Sequence, residues 1–295
     1  MTMTPLSAFL LSVAIVFAAK TLAWLIQLRT RNAGLVDAIW GWTLGGLAPL
    51  YALLGTAPTE VRVLLALLGG LWGLRLGAHL WRRNYGKPED WRYARFRRQW
   101  GAGGAGGTAP ERSAMGAGAG ASAASRTHSF ANTVSAADVK MFWFFQFQNI
   151  FTLLLSASAF LIPAYRSDSP PALCLGLSVL IWIGAVAGEG IADVQMERFR
   201  ANPDNKGRVC RDGLWRYSRH PNYFFECLHW LAYVPLALGA PWGWLSLAAP
   251  LVMAWLLLKL SGVPMLEAEM AKRKAGYTEY MHSTSVLIPL PPKTR

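Results

Sequence analysis

Apolar residues are gathered into long, nearly uninterrupted blocks along this chain. Each block is about 20 residues long, which is the length that an α-helix needs to cross a hydrocarbon core of about 30 Å. A soluble core is built instead from shorter apolar runs with a helix or strand period. The blocks therefore predict an all-α, polytopic membrane bundle of about seven transmembrane helices, at 7–28, 34–54, 61–81, 141–162, 172–192, 222–239 and 242–262.

The charged residues lie mainly between the apolar blocks. Hydrophobic residues make up 53% of the chain and charged residues only 15%, whereas soluble domains carry about 25% charged residues. Most of the 29 Lys and Arg fall after the first, third and fifth blocks and in the tail. By the positive-inside rule, the N-terminus lies outside and the C-terminus in the cytoplasm. The net charge of +13 is therefore a topology signal in a bacterial-type inner membrane, with no nucleic-acid partner expected.

Residues 1–295 are predicted to form a single integral-membrane domain with one insertion. The segment 101–137 is rich in Gly, Ala and Ser and has too little apolar surface to fold by itself, which predicts a flexible cytoplasmic insertion. Cys174, Cys210 and Cys227 have no paired spacing, so neither a disulfide framework nor a metal site is expected.

Ionisable side chains inside membrane spans are costly and generally face a cavity or a partner. Glu189 and Asp193 are four residues apart and Arg200 lies seven further on, so the three share a face if their helix continues beyond the membrane. Two further pairs have helical spacing, namely Asn222 with Glu226 and Arg75 with His79. The three groups predict a polar cavity that opens to the cytoplasm. The alternative is that they only hydrogen-bond the bundle together, the role expected for His229 and Lys259.

The link between the fifth and sixth blocks is basic and aromatic. Arginines pair with phosphate through two parallel hydrogen bonds, and aromatic rings stack on flat ligands. This composition favours an anionic ligand, either a dinucleotide or a phospholipid head group.

Several strings carry a family resemblance: SRHPNYFFE after GLW and an Asp-x-Gln-x-x-x-Phe-Arg run, VDAIWG, WGLRLGAHLWRRN leading to GKPEDWRY, FFQFQ, and GYTEYMHSTSVLIPLPP. They resemble the bacterial membrane (DUF1295-type) branch of the steroid 5-alpha-reductase family, which is related to sterol reductases and isoprenylcysteine carboxyl methyltransferases. The resemblance covers nearly the whole chain apart from the first block and the insertion.

The resemblance implies an oxidoreductase similar to 3-oxo-5-alpha-steroid 4-dehydrogenases. Such an enzyme uses NADPH, bound from the cytoplasmic side, to reduce an activated C=C bond in a lipophilic steroid-like or isoprenoid enone. The carbonyl donor is expected to be His79 oriented by Asp37, with a tyrosine of the Tyr85 or Tyr93 region as the fallback. The motif positions that match cofactor-contacting residues or lie beside them are Glu189, Asp193, Arg200, Arg219, His220, Asn222, Tyr223 and Glu226.

Phe225 departs from the family pattern, which usually has Gly before the last Glu of this motif. A phenyl ring there is expected to crowd any close approach of a helix or cofactor.

Two other functions fit parts of the sequence. One is a membrane methyltransferase that uses S-adenosylmethionine, because Arg-His-Pro-x-Tyr also occurs in that class. The other is a transporter or lipid-binding protein, although the chain lacks the inverted repeats typical of transporters.

Overall fold

A computed structural model describes residues 3–102, 134–260 and 262–293. These residues form helices joined by turns, with no strand among them and one isolated bridge between Ser218 and Ser285. The α-helices are α1 Pro5–Thr30, α2 Leu35–Leu54, α3 Thr59–Asn84, α4 Trp91–Ala102, α5 Ala136–Ser156, α6 Ile162–Ala164, α7 Ala172–Ala201, α8 Pro221–Leu231, α9 Val234–Ala237, α10 Ala248–Trp255, α11 Val263–Arg273 and α12 Tyr277–Ser283. The all-α prediction is confirmed for this part of the chain.

Five helical segments of the described residues are long and apolar enough to cross a membrane: Pro5–Thr30, Thr59–Asn84, Ala136–Ala164, Ala172–Ala201 and Gly243–Arg273. The multi-pass membrane character is therefore confirmed. The third segment joins α5 to α6 through a π-helical turn, Ala157–Leu161, and the fifth contains a 3-10 turn, α10 and a second π-helical turn, Leu256–Leu260.

Two of the seven expected spans are not among the segments that are long and apolar enough to cross a membrane. The α2 helix is long enough but is not among the five, and it carries Asp37 in its first turn. The block at 222–239 is divided into α8, which ends at Leu231, and the short α9. Pro235 explains the division, because proline lacks the N–H that would bond to the carbonyl of Leu231 and its ring clashes with that carbonyl.

The ends of the expected insertion at 101–137 are helical. The last two residues of α4 are Gly101 and Ala102, and α5 begins at Ala136. Ser135 caps α5 through a capping box with Asp138, in which each side chain satisfies the backbone N–H of the other. Residues 103–133 lie outside the described part of the chain, so the prediction of a flexible segment stays a prediction there.

Helices α2 and α3 cross at van der Waals contact of their backbones. A Cβ atom on Gly45 would overlap the Cα of Gly73, and one on Gly69 would overlap the Cβ of Ala48. Small residues four apart allow membrane helices to approach this closely, and the gain is dispersion contact, because lipid is as apolar as the side chains. This crossing places Trp72 and Arg75 of α3 toward the interior of the bundle.

We expect Gly45→Val to lower the free energy of unfolding by about 1–3 kcal/mol, because the added methyls must separate α2 from α3. Thermal unfolding of the detergent-solubilised protein measures the effect. Gly46→Val is the matched control, since a Cβ at Gly46 meets nothing within 4 Å and the change in helix propensity is the same. Equal losses in the two variants would show that the glycine contact contributes nothing.

Candidate functional site

A partly buried ion-pair network joins α3 to α7. The guanidinium of Arg75 contacts Glu189 through Nη1 and Oε2 at 2.5 Å and Asp193 through Nη2 and Oδ2 at 3.5 Å. His79, one turn beyond Arg75, lies close enough to Asp193 to interact with it electrostatically. The structure thus brings together two of the three groups that helical spacing singled out.

Glu226 of α8 belongs to the same network. Its carboxylate accepts hydrogen bonds from the indole N–H groups of Trp72 at 3.1 Å and Trp230 at 2.9 Å, and the residue is only 8% exposed. It also interacts electrostatically with Glu189. Three carboxyl groups therefore surround the one guanidinium of Arg75. Burying an acidic residue without a full counter-charge is expensive, so this network is a candidate functional site.

His229 lies directly behind Glu226. Its ring stacks on Trp72 with centroids 4.5 Å apart and an interplanar angle of 13°, and its Nε2 atom is 3.2 Å from the hydroxyl of Tyr233. Its Nδ1 atom is buried without a hydrogen-bond partner among the described residues. These contacts fit the structural role expected for His229.

Asp37 is not paired with His79, so the expectation that it orients this histidine is wrong. Its two oxygens are taken by α4: Tyr93 donates a hydrogen bond to Oδ1 at 2.5 Å and Arg92 donates to Oδ2 at 2.9 Å. The reason is that α4 folds back over the first turn of α2, where Arg92 also bonds to Asp90 at 3.0 Å. The carboxylate–tyrosine pair of this site is therefore Asp37 with Tyr93, the fallback residue.

Tyr93 is 4% exposed and packs edge-on against Phe144 and Phe145 of α5. Burial, and next the neighbouring Asp37 carboxylate, raise the pKa of the Tyr93 phenol well above its usual range. Both causes disfavour the phenolate, because the charge would be poorly solvated and next to another anion. The phenol therefore keeps its proton at physiological pH.

Arg219 and His220 contact a carboxylate that the sequence did not single out. Arg219 donates to Glu267 of α11 at 2.7 Å and to the carbonyls of Met281 and Thr284 at 2.6 and 2.7 Å. His220 Nε2 is 3.0 Å from the same Glu267 oxygen. Arg219, expected beside a cofactor, is thus occupied in holding the C-terminal segment against the bundle.

Phe225 does not crowd the bundle in the way its departure from the family pattern suggested. Its ring lies against Gly188 of α7, where a Cβ atom would overlap three of its carbon atoms. The close approach that a glycine on α8 would permit is provided here by a glycine on the facing helix.

The remaining residues of the motif on α8, Asn222 and Tyr223, differ in their contacts. Asn222 is half-buried, and no hydrogen bond of its side chain is present within the residues that the structure describes. Tyr223 stacks under the His220 ring at 5.1 Å and 9°, and it interacts electrostatically with Arg92 and Asp37. Tyr223 therefore connects this motif with the Asp37–Tyr93 pair.

A basic cleft opens beside the end of α7. We call it the α7–α11 cleft; it is lined by Met196, Arg200, Val209, Cys210, Trp215, Arg219, His220, Leu266, Met270, Lys274, Tyr277 and Tyr280. Arg200 forms no ion pair within the described residues, and neither does Lys274, whose ammonium lies 5.9 Å from the centroid of the Phe199 ring. Burial, and next the charge of Arg200, lower the pKa of Lys274.

Lys274, Tyr277 and Tyr280 were not among the sequence candidates. They come together with Arg200 because the C-terminal segment packs back against the end of α7, and no local spacing reports that contact. The α7 helix continues to Ala201, so the expected face with Glu189, Asp193 and Arg200 exists. It leads from the buried network to the α7–α11 cleft.

One family matches most of the chain. It is described as a protein of unknown function (DUF1295), and the match covers residues 23–107 and 123–284. The chain belongs to the DUF1295 family. No curated protein and no solved structure matches it.

The DUF1295 match includes every candidate site residue described above. The family description assigns no reaction. Any activity must therefore be argued from the residues themselves.

Proposed function

We propose that this DUF1295 protein is an NADPH-dependent membrane reductase of an activated C=C bond in a lipophilic enone. The observation that carries the proposal is the α7–α11 cleft, where Arg200 and Lys274 lie beside aromatic rings without carboxylate partners in the described residues. Like charges held together in a partly buried cleft repel each other, and a bound phosphate group relieves that repulsion. The steroid 5-alpha-reductase resemblance supports the same ligand.

The residues that line the cleft fit the phosphate groups of NADPH in their donor set. Arg200 and Lys274 would hold its phosphate groups, because charge-assisted hydrogen bonds to phosphate are strong. The unpartnered amide of Asn222 would bond to the carboxamide of the nicotinamide. Glu189 and Asp193 would hold the guanidinium of Arg75 in position through their ion pairs. Glu226 would itself be held by the indole N–H groups of Trp72 and Trp230. Arg219 and His220 would keep the cleft in shape through Glu267.

The chemical step rests on the Asp37–Tyr93 pair. When bound, NADPH supplies a hydride to the β carbon of the enone, and negative charge then develops on the carbonyl oxygen. Tyr93 would stabilise that charge by rotating its O–H from Asp37 to the carbonyl oxygen. The packing against Phe144 and Phe145 would keep the ring in place, and Asp37 would stay paired with Arg92. A prepositioned donor stabilises such an oxyanion strongly. Water then supplies the proton for the α carbon.

The membrane arrangement belongs to the same proposal. We place seven spans in the bundle by counting α2 and the divided segment α8–α9 with the five clear ones. The N-terminus is then outside and the C-terminus in the cytoplasm of a bacterial-type inner membrane. Both the α7–α11 cleft and α4 then face the cytoplasm, where NADPH is available, and a lipophilic substrate reaches the bundle from the bilayer.

Calorimetry of the solubilised protein with NADPH, NADH and S-adenosylmethionine tests the proposal. We expect NADPH to bind, and Arg200→Ala with Lys274→Ala to weaken binding about 10- to 100-fold through the loss of charge-assisted hydrogen bonds. Arg198→Ala is the matched control, because Arg198 is an exposed arginine on the same helix that does not line the cleft.

Two outcomes would contradict the proposal. If S-adenosylmethionine binds and NADPH does not, the chain is a methyltransferase of the isoprenylcysteine type, since that cofactor has no phosphate for the cleft. If neither ligand binds, the reductase proposal is rejected and the result supports the transporter or lipid-binding alternative.

A further inference from the structure

Helix α4 is held at a defined depth beside the start of a membrane span. Its Arg97 donates to Asp138 of α5 at 3.0 Å, and the carbonyl of Asp138 accepts a hydrogen bond from the indole of Trp24 on α1 at 2.8 Å. The rings of Phe96 and Trp100 pack on Phe144, two turns into α5. Tryptophan is enriched at membrane–water interfaces. These contacts fit a position of α4 at the level of the lipid head groups.

The arginines of α4 fall into two classes. Arg97 is paired with Asp138 and Glu89, and Arg92 with Asp37 and Asp90. Arg95 and Arg98 are exposed, and neither makes an ion pair or a hydrogen bond in the residues that the structure describes. They are three residues apart and so project from the same side of the helix. The carboxylates nearest to α4 are already used by the other arginines, which leaves this side with a net positive charge.

We propose that Arg95 and Arg98 bind the phosphate of an anionic phospholipid, such as phosphatidylglycerol, at the cytoplasmic surface of the membrane. Arginine pairs bidentately with phosphate oxygens. The interfacial position favours a head group over a soluble anion, because the lipid is already concentrated at that depth. Each basic residue near an anionic membrane surface adds to the attraction, and the effect falls off within a Debye length.

This site is separate from the α7–α11 cleft and does not depend on the proposed reductase activity. It attaches α4 to the lipid surface in addition to its packing on α5. The attachment is next to Tyr93, which the same helix supplies to the Asp37–Tyr93 pair. Lipid bound there would hold α4 over the first turn of α2.

Native mass spectrometry of the full chain from nanodiscs tests the proposal, with phosphatidylcholine alone compared with phosphatidylcholine mixed with phosphatidylglycerol. We expect the wild-type chain to retain phosphatidylglycerol selectively. The double variant Arg95→Gln/Arg98→Gln should lose roughly 20- to 30-fold in apparent affinity. Lys272→Gln/Lys293→Gln is the matched control, because it removes the same charge from exposed residues of the C-terminal segment, outside the basic link between α7 and α8.

Equal retention in the two double variants would overturn the site on α4, as would equal retention of the neutral and anionic lipids by the wild-type chain. Binding of soluble RNA or an acidic peptide at Arg95 and Arg98 without lipid preference would assign the surface to a soluble partner instead. Circular dichroism and gel filtration of each variant establish that it is folded. NADPH titration of the same samples keeps a failure here distinct from a failure of the reductase proposal.

Discussion

Replacing Arg75 with methionine is expected to lower the free energy of unfolding by about 3–5 kcal/mol, because removal of one partner leaves buried charges without compensation. Arg75 contacts both Glu189 and Asp193, whose side chains are only 9% and 20% exposed. Methionine has a similar volume, so the loss of packing is small and the effect is electrostatic. Thermal and urea unfolding of the solubilised protein measure it.

The matched control is Arg82→Met, which removes an exposed arginine from the same helix. Its effect is expected to stay within about 0.5 kcal/mol, as for most surface substitutions. The second variant Arg75→Met/Glu189→Gln removes one of the uncompensated charges and should recover part of the loss. If Arg75→Met unfolds no more readily than Arg82→Met, the network contributes no stability.

Residues on one helix were the easiest part of the site to predict. Glu189, Asp193 and Arg200 share a face because they belong to one uninterrupted helix, and helical spacing alone decides that. Arg75 and His79 on α3 were found in the same way. The sequence predicted only that they share a polar cavity with the α7 residues, and the structure supplies the contact between α3 and α7.

Contacts between distant segments could not be read from spacing. Tyr93 and Asp37 are 56 residues apart and Arg219 and Glu267 are 48 apart. Each pair depends on how a connecting segment folds back: α4 over α2 in the first case, and the C-terminal segment over α8 in the second. The motif beginning at Arg219 pointed to a ligand, whereas the tertiary contacts give that arginine a structural partner.

Span counting shows a similar limit. Composition identifies the block at 222–239 as apolar, but Pro235 interrupts its hydrogen bonding and divides it into α8 and α9. In a bundle, neighbouring helices satisfy the freed backbone groups. A hydropathy window measures the length of an apolar block and does not detect this break in the helix.

Tyr93→Phe is expected to lower reductase turnover of a 3-oxo-4-ene steroid about 10²- to 10⁴-fold, the usual contribution of a positioned proton donor. The ring still fills its place against Phe144 and Phe145, and only the hydroxyl that bonds to Asp37 is lost. Turnover should therefore fall without a change in NADPH affinity. Stopped-flow oxidation of bound NADPH, followed by absorbance, separates the chemical step from cofactor binding.

Two variants show whether the loss is specific to the Asp37–Tyr93 pair. Tyr85→Phe removes a hydroxyl from a tyrosine that is 60% exposed and stacked on Trp81, and it should leave turnover unchanged. His79→Gln tests the donor that the sequence favoured. Because His79 interacts electrostatically with Asp193, whereas Asp37 is bonded to Tyr93 and Arg92, replacement of His79 should lower turnover less than tenfold. A large loss in His79→Gln together with full activity in Tyr93→Phe would return the donor role to the histidine, and the fold-back of α4 over α2 would then be structural alone.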